Sequence, residues 1–169
     1  MTPHFLLNII YIMSMSETKK YSVSEYMNKE VVTISSSATL KDALKLLIKK
    51  NTNGCVVVDK NNQVVGILSS WDIIQYIVPH FETDKLGSSE ADEFLIKQVK
   101  ELSTHPIAKC ITTKIQTVYQ QTSIMEASAL LSEFRIRQLP VVNTKKELIG
   151  YINRTNIKRA FGDILGIKP

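Results

Sequence analysis

The chain has 169 residues, 44% hydrophobic and 22% charged, a balance that excludes wholesale disorder and allows one ordinary domain or two small units. Its formal net charge of +5 suits anionic partners, but no Lys/Arg run exceeds two residues and no aromatic-interleaved basic stripe is present, so nucleic-acid binding by this chain alone is not indicated. Cys55 and Cys110 form no CxxC and stand at no metal spacing with His4, His80 or His105, so no metal site and no catalytic histidine is assigned.

The N-terminal run Phe5–Met13 is apolar but too short to span a bilayer. It lacks the basic flank and small-residue cleavage site of a secretory signal. It reads as a start codon placed too early, as a segment that packs on a partner chain or, less simply, as a membrane anchor; the expected location is the cytoplasm. Ser22–Met27 has room for one helical turn, and the β-branched run Val31–Ile34 predicts a strand. Thr39-x-x-Asp42 has the form of a capping box. Behind it Leu40, Ala43, Leu44, Leu47 and Ile48 recur at helical spacing to about Lys50, and Asn51-Thr52-Asn53-Gly54 is expected to stop the helix through its glycine. Cys55–Val58 and Val64–Leu68 predict a hairpin around the polar turn Asp59–Gln63, with Cys55 a buried reduced thiol. Asp72 is expected to open a helix that Pro79 ends. From His80 to Thr104 the pattern breaks: Gly87-Ser88-Ser89 reads as a loop, and Ala91–Leu102 as a helix with Leu95, Val99 and Leu102 on one face.

The same β-α-β-β-α pattern then returns, displaced by 84 residues without a gap. Thr33-Ile34 recurs as Thr117-Val118, the cap Thr39/Asp42 as Ser123/Glu126, and Ala43, Leu46 and Leu47 as Ala127, Leu130 and Leu131. Val57-Val58 recurs as Val141-Val142, Gly66 as Gly150 and Ile73 as Ile157. A unit of roughly 60 residues is marginal alone, and two copies packed sheet against sheet are expected to share a core. The division expected is a tail 1–20, a first repeat 21–81, a bridging loop and helix 82–104 and a second repeat 105–169.

A β-α-β-β-α repeat ending in Gly-h-h-[Ser/Thr]-x-x-Asp (h, apolar), present twice, resembles the cystathionine-β-synthase (CBS) domain family. The resemblance covers about 21–79 and 105–166. It implies an α/β (α+β) fold with two repeats about a pseudo-twofold axis, two clefts, pairing into a homodimer, and a regulatory adenosyl ligand such as AMP, ADP, ATP or S-adenosylmethionine. It implies no required cofactor. Asp72 takes the position that holds a ribose diol, for which an ionised carboxylate at a helix start offers acceptors, and Ser69 adds a hydroxyl for ribose or phosphate. The residue-level alternative is that both only cap a helix. The resemblance draws the adenine edge from the other repeat, near Ile115 and Gln116. The stretch Arg135–Val142 is similar to a phosphate-contacting segment of the nucleotide-sensing gamma subunit of AMP-activated kinase, which points to Arg137 for phosphate and Pro140 for the cleft wall. A solvated cation at a helix end is the alternative for Arg137.

The second cleft would use Val31, Val32 and Gly54 with Asn153, Arg154 and Asn156. There Asn153 replaces Ser/Thr and Asn156 replaces Asp, which removes charge-assisted bonds to the diol and weakens a ribose contact by roughly 1–2 kcal/mol. The expected function is a non-catalytic sensor that signals through changed repeat or dimer packing to an effector protein. The alternatives are an interaction protein with vestigial clefts and a nucleic-acid-associated regulator. No nucleophile elbow, Walker-type phosphate loop or paired catalytic carboxylate points to an enzyme.

Overall fold

Local capping chemistry starts the long helices, and long-range strand pairing decides which segments lie together. The computed structural model describes residues 21–78, 87 and 89–167. The apolar run Phe5–Met13, His4, His80, Pro79 as a helix stop and Ser88 of the expected loop lie outside the described residues; Ser89, expected in that loop, is the first residue of the bridging helix. The elements run α1 (Val23–Tyr26), β1 (Thr33–Ser35), α2 (Leu40–Lys50), β2 (Gly54–Val58), β3 (Val64–Ser69), α3 (Ser70–Ile77), α4 (Ser89–Leu102), a 3₁₀ turn (Ile107–Lys109), β4 (Val118–Tyr119), α5 (Ile124–Glu133), β5 (Gln138–Val142), β6 (Leu148–Asn153) and α6 (Arg154–Ile164). The architecture is mixed α and β, with two three-stranded sheets ordered β1-β2-β3 and β4-β5-β6. The chain divides into two compact units: residues 31–115, called here the Asp72 unit, and residues 116–167 together with 21–30, the Asn156 unit.

In the Asp72 unit β1 runs parallel to β2, and β2 pairs antiparallel with β3 in the register Gly54↔Ser69 to Val58↔Val64. The Thr39/Asp42 capping box forms as expected, with the Asp42 N–H donating to Thr39 Oγ1 at 3.3 Å and the Thr39 N–H to Asp42 Oδ2 at 3.1 Å. These bonds satisfy donors that a helix start otherwise leaves open. The helix stop differs from expectation. Asn51, not Gly54, takes the left-handed conformation at φ 48°, and Gly54 is the first residue of β2. Asparagine tolerates that region because its short polar side chain bonds locally.

Leu40, Ala43 and Leu47 of α2 meet Cys55, Val57 and Leu68 of the sheet and Ile73 of α3 in one apolar cluster. Each large aliphatic side chain so buried contributes about 1.5–3 kcal/mol. α4 has no buried residue; Val99 and Leu102 rest against this cluster, while Leu95 remains 44% exposed.

The Asn156 unit repeats the plan. β4 is parallel to β5, β5 antiparallel to β6, and both hairpins shift register at equivalent places, between Val57 and Val58 and between Val141 and Val142. The hairpin turns share one chemistry. Asp59 Oδ1 accepts from the N–H groups of Asn61 and Gln63, and Asn143 Oδ1 accepts from those of Lys145 and Glu147. Buried side chains form one cluster within each unit.

The segments that precede each repeat are exchanged. In the Asp72 unit, Thr112 pairs with Ile67 on the free edge of β3, with N–H to O distances of 3.0 and 2.9 Å. In the Asn156 unit, Asn28 pairs with Tyr151 on the free edge of β6, at 2.9 Å in both directions. The 84-residue offset relates both partners. Compaction thus follows a different division from the linear repeat: residues 21–30 complete the sheet of the second repeat, and residues 105–115 that of the first. Each added segment covers an edge of unpaired backbone groups.

Candidate functional site

The two polar corners sit where β3 runs into α3 and where β6 runs into α6. At the first, Ser69 is the N-cap of α3 with φ −120° and ψ 164°. The helix opens at Ser70, two residues before Asp72, which the sequence had suggested as its first residue; Asp72 is its third. Asp72 Oδ2 accepts from the Ser69 N–H at 2.8 Å and from the Ser69 hydroxyl, while the Asp72 N–H donates to Ser69 Oγ at 3.3 Å. The capping alternative is therefore realised for both residues, and the remaining capacity of the carboxylate decides what else it can do. Asp72 Oδ1 accepts from the Thr112 hydroxyl at 3.1 Å. A carboxylate oxygen has room for two such bonds, so Oδ1 keeps an acceptor position, and Asp72 is partly exposed.

Thr112 was not among the residues the sequence singled out. It is the 84-residue counterpart of Asn28, and that offset was the available signal. Gly66 explains how Thr112 comes so near: a Cβ there would lie 3.0 Å from the Thr112 carbonyl oxygen and 3.0 Å from Ile111 Cδ1. The glycine of the duplicated pattern thus admits the exchanged segment.

At the second corner Asn153 is the N-cap of α6 and Asn156 its third residue. Asn156 Oδ1 accepts from the Asn153 N–H at 2.8 Å and from Asn28 Nδ2 at 3.3 Å, and the Asn156 N–H donates to Asn153 Oδ1 at 3.0 Å. Both acceptor positions of this amide oxygen are filled, and Asn156 is only 5% exposed. A Cβ on Gly150 would stand 2.7 Å from the Asn28 carbonyl oxygen, so this corner is closed more tightly than the first.

The remaining expected site residues fall as follows. Ser69, Asp72 and Ile115 lie in the Asp72 unit, whereas Gln116, Arg137 and Pro140 lie in the Asn156 unit. Val31, Val32 and Gly54 lie in the Asp72 unit, with Asn153, Arg154 and Asn156 in the other. Gly54 is the register partner of Ser69. Arg137 is exposed in the link between α5 and β5. Arg154 folds back: its Nε donates to the Ile136 carbonyl at 3.2 Å and a terminal nitrogen to the Arg135 carbonyl at 3.4 Å. It braces a loop in which Arg135 has φ 52°. Pro140 is buried and occupies the middle of β5, opposite Tyr151.

Beside the first corner, Cys110 donates its thiol proton to the Ile107 carbonyl at 3.3 Å. Burial first, and the Asp72 carboxylate second, push its pKa above the ordinary thiol value. Tyr76 bonds His105 Nδ1 at 2.8 Å, and burial raises its phenol. Cys55 is buried as expected, and burial pushes its thiol up to about 11. No helix among the described residues is long and apolar enough to cross a membrane.

The chain is similar to the CBS domain-containing protein CBSX2, chloroplastic, of Arabidopsis thaliana, with 28% identity over 150 residues that cover 83% of this chain and 63% of that protein. It is also 24% identical over 140 residues to L-aspartate semialdehyde sulfurtransferase of Methanocaldococcus jannaschii, covering 83% of this chain but 23% of that enzyme. The chain thus spans less than two thirds of either relative. Among solved structures, CBSX2 in complex with AMP superposes with a TM-score of 0.66 at 28% identity, covering 86% of this chain and 98% of that one. The CBS domain family itself matches residues 23–79 and 99–163. Two matched repeats, two sheets of one topology and two duplicated helix-capping corners make this chain a member of the CBS domain family.

Proposed function

We propose that this chain is a non-catalytic regulatory module that binds an adenosyl ligand, with AMP the first candidate, and that Ser69, Asp72, Ile115, Gln116, Arg137 and Pro140 contact it. The observation that carries the reading is the spare acceptor position on Asp72 Oδ1. A ribose diol is a pair of donors, and its bond to an ionised oxygen contributes about 1.5–3 kcal/mol. The solved AMP complex of CBSX2, a relative at 28% identity, supports the ligand class. Arg137, exposed and permanently charged, suits a phosphate. The set Val31, Val32, Gly54, Asn153, Arg154 and Asn156 forms the weaker alternative, because the Asn156 oxygen is already filled. Self-association is the proposed route of readout: Ile48, Trp71 and Ile74 on α2 and α3 are 77%, 65% and 56% exposed, an apolar surface suited to a second copy.

Thermal unfolding with AMP, ADP, ATP, S-adenosylmethionine and GMP tests this function. A ligand at 100 times its dissociation constant adds about 2.7 kcal/mol of stability. The expected outcome is stabilisation by at least one adenosyl compound and less by GMP. A panel that is inert throughout favours an interaction protein with vestigial clefts, the reading that the closed Asn156 corner supports.

A further inference from the structure

In the Asn156 unit, α5 and α6 border a cavity of about 510 Å³ floored by Leu131, Ile157 and Phe161. Ser128 and Ser132 of α5 and two arginines, Arg135 and Arg154, complete the lining, and no acid is among the described residues there. The 84-residue counterparts show what is particular to this copy. The floor positions are apolar in both repeats, as Leu47, Ile73 and Ile77 in the first. The other four are Leu44, Ile48, Asn51 and Ser70 in the first repeat. The second repeat thus exchanges two aliphatic side chains for hydroxyls and two neutral polar ones for guanidinium cations, all around one cavity.

Arg135 stands where the backbone disfavours it. Asn51 and Arg135 both take the left-handed conformation, at φ 48° and 52°. Asparagine suits that region and arginine does not, so the arginine is held there by its surroundings. Arg154 supplies the hold by donating to the Ile136 and Arg135 carbonyls at 3.2 and 3.4 Å. Three of its five N–H donors remain. Two cations therefore line the groove where α5 has ended and α6 begins.

We propose that this groove binds a small amphipathic anion: Arg135 and Arg154 take an oxyanion head, the exposed Ser132 hydroxyl donates to it, and an apolar body lies on Leu131, Ile157 and Phe161. The site lies wholly within the Asn156 unit and does not rest on the function proposed above. Guanidinium groups form charge-assisted bonds with phosphate and carboxylate alike. An apolar floor with a few polar groups at one end, in a cavity of this size, is the usual form of a small-molecule site. The Ser128 hydroxyl donates to the Ile124 carbonyl at 2.6 Å, so it has no proton left to offer the head.

The test is calorimetric titration of the full chain with octyl phosphate, octanoate, inorganic phosphate and octanol. Wild type is expected to bind one of the two amphiphiles at least about tenfold more tightly than the bare head or the neutral body, and the pair tells phosphate from carboxylate. Arg135→Asn places the first repeat's residue in the same left-handed turn, so it is expected to fold, which unfolding curves check. It should weaken binding of the preferred amphiphile about tenfold, the size of a lost charge-assisted bond. Lys158→Ala removes one positive charge from an exposed position of α6 outside the lining and should leave that affinity within about twofold. Equal losses in the two folded variants would reduce the effect to general charge attraction and overturn the proposal. So would a wild type that binds no amphiphile better than inorganic phosphate. Binding that vanishes as the chain self-associates would assign the groove to a second copy and overturn it as well.

Discussion

The two corners were built from one sequence pattern and have come to differ in what they can still accept. At the first, Asp72 spends one oxygen on capping α3 and shares the other with Thr112. At the second, Asn156 spends its single acceptor oxygen on Asn153 and Asn28 and lies buried. One capping box therefore retains an unused acceptor position, and the other is absorbed in holding a segment of the chain. A shared motif does not imply a shared role; the count of unused acceptors separates them. The parallel ladders carry a similar contrast: Val56 donates to the Val32 carbonyl, where Pro140, without an N–H, cannot donate to Gln116.

The largest expected difference between the halves is steric. Gly150→Ala sets a Cβ 2.7 Å from the Asn28 carbonyl oxygen, which is backbone and cannot step aside cheaply. It should lower stability by about 2–3 kcal/mol in urea unfolding. Gly66→Ala meets the Thr112 carbonyl at 3.0 Å and should cost about 1–2 kcal/mol. Equal losses would break the distinction between a closed and an open corner.

The hydrogen bonds give a smaller test. Asn28→Ala removes a bond to buried Asn156 and should cost about 1 kcal/mol. Thr112→Val leaves a partly exposed carboxylate that water can reach, for a loss of about 0.5 kcal/mol in the same assay.

The smallest effect is electrostatic. The Asp72 carboxylate adds to burial in raising the Cys110 pKa. A raised thiol pKa favours the neutral form in the folded state, so its contribution to stability is full below the ordinary thiol value and fades as pH rises through the folded value. Asp72→Asn removes the Coulomb part and leaves the larger burial part. The thiol pKa should fall, and alkylation of Cys110 at pH 8 should speed up by a small factor. An unchanged rate profile would mean that the carboxylate is not felt there.

Much of this was legible in the sequence because it is local. The Thr39/Asp42 box, both hairpins and the 84-residue repeat follow from capping, alternation and offset. Asn51 was misjudged because asparagine and glycine compete for the same left-handed position within four residues. The exchange of residues 21–30 and 105–115 was not legible, because Asn28 and Tyr151 are far apart in sequence and a single bridge leaves no periodic trace. For the same reason Thr112 escaped notice, and Gly66 and Gly150 looked like strand glycines when they are points of close backbone approach. At Pro140 the residue was noticed, but the ladder bond it forgoes depends on the parallel pairing that sets Val118 opposite Val141.

The most direct test is AMP titration of wild type, Asp72→Asn and Asn156→Ala, each checked for folding. A working Asp72 corner predicts a loss of about tenfold or more for Asp72→Asn, since an amide gives up the charge-assisted bond to the ribose, and a change within about twofold for Asn156→Ala. Wild-type affinity in Asp72→Asn together with abolished binding in folded Asn156→Ala would contradict the account and assign the ligand to the other corner.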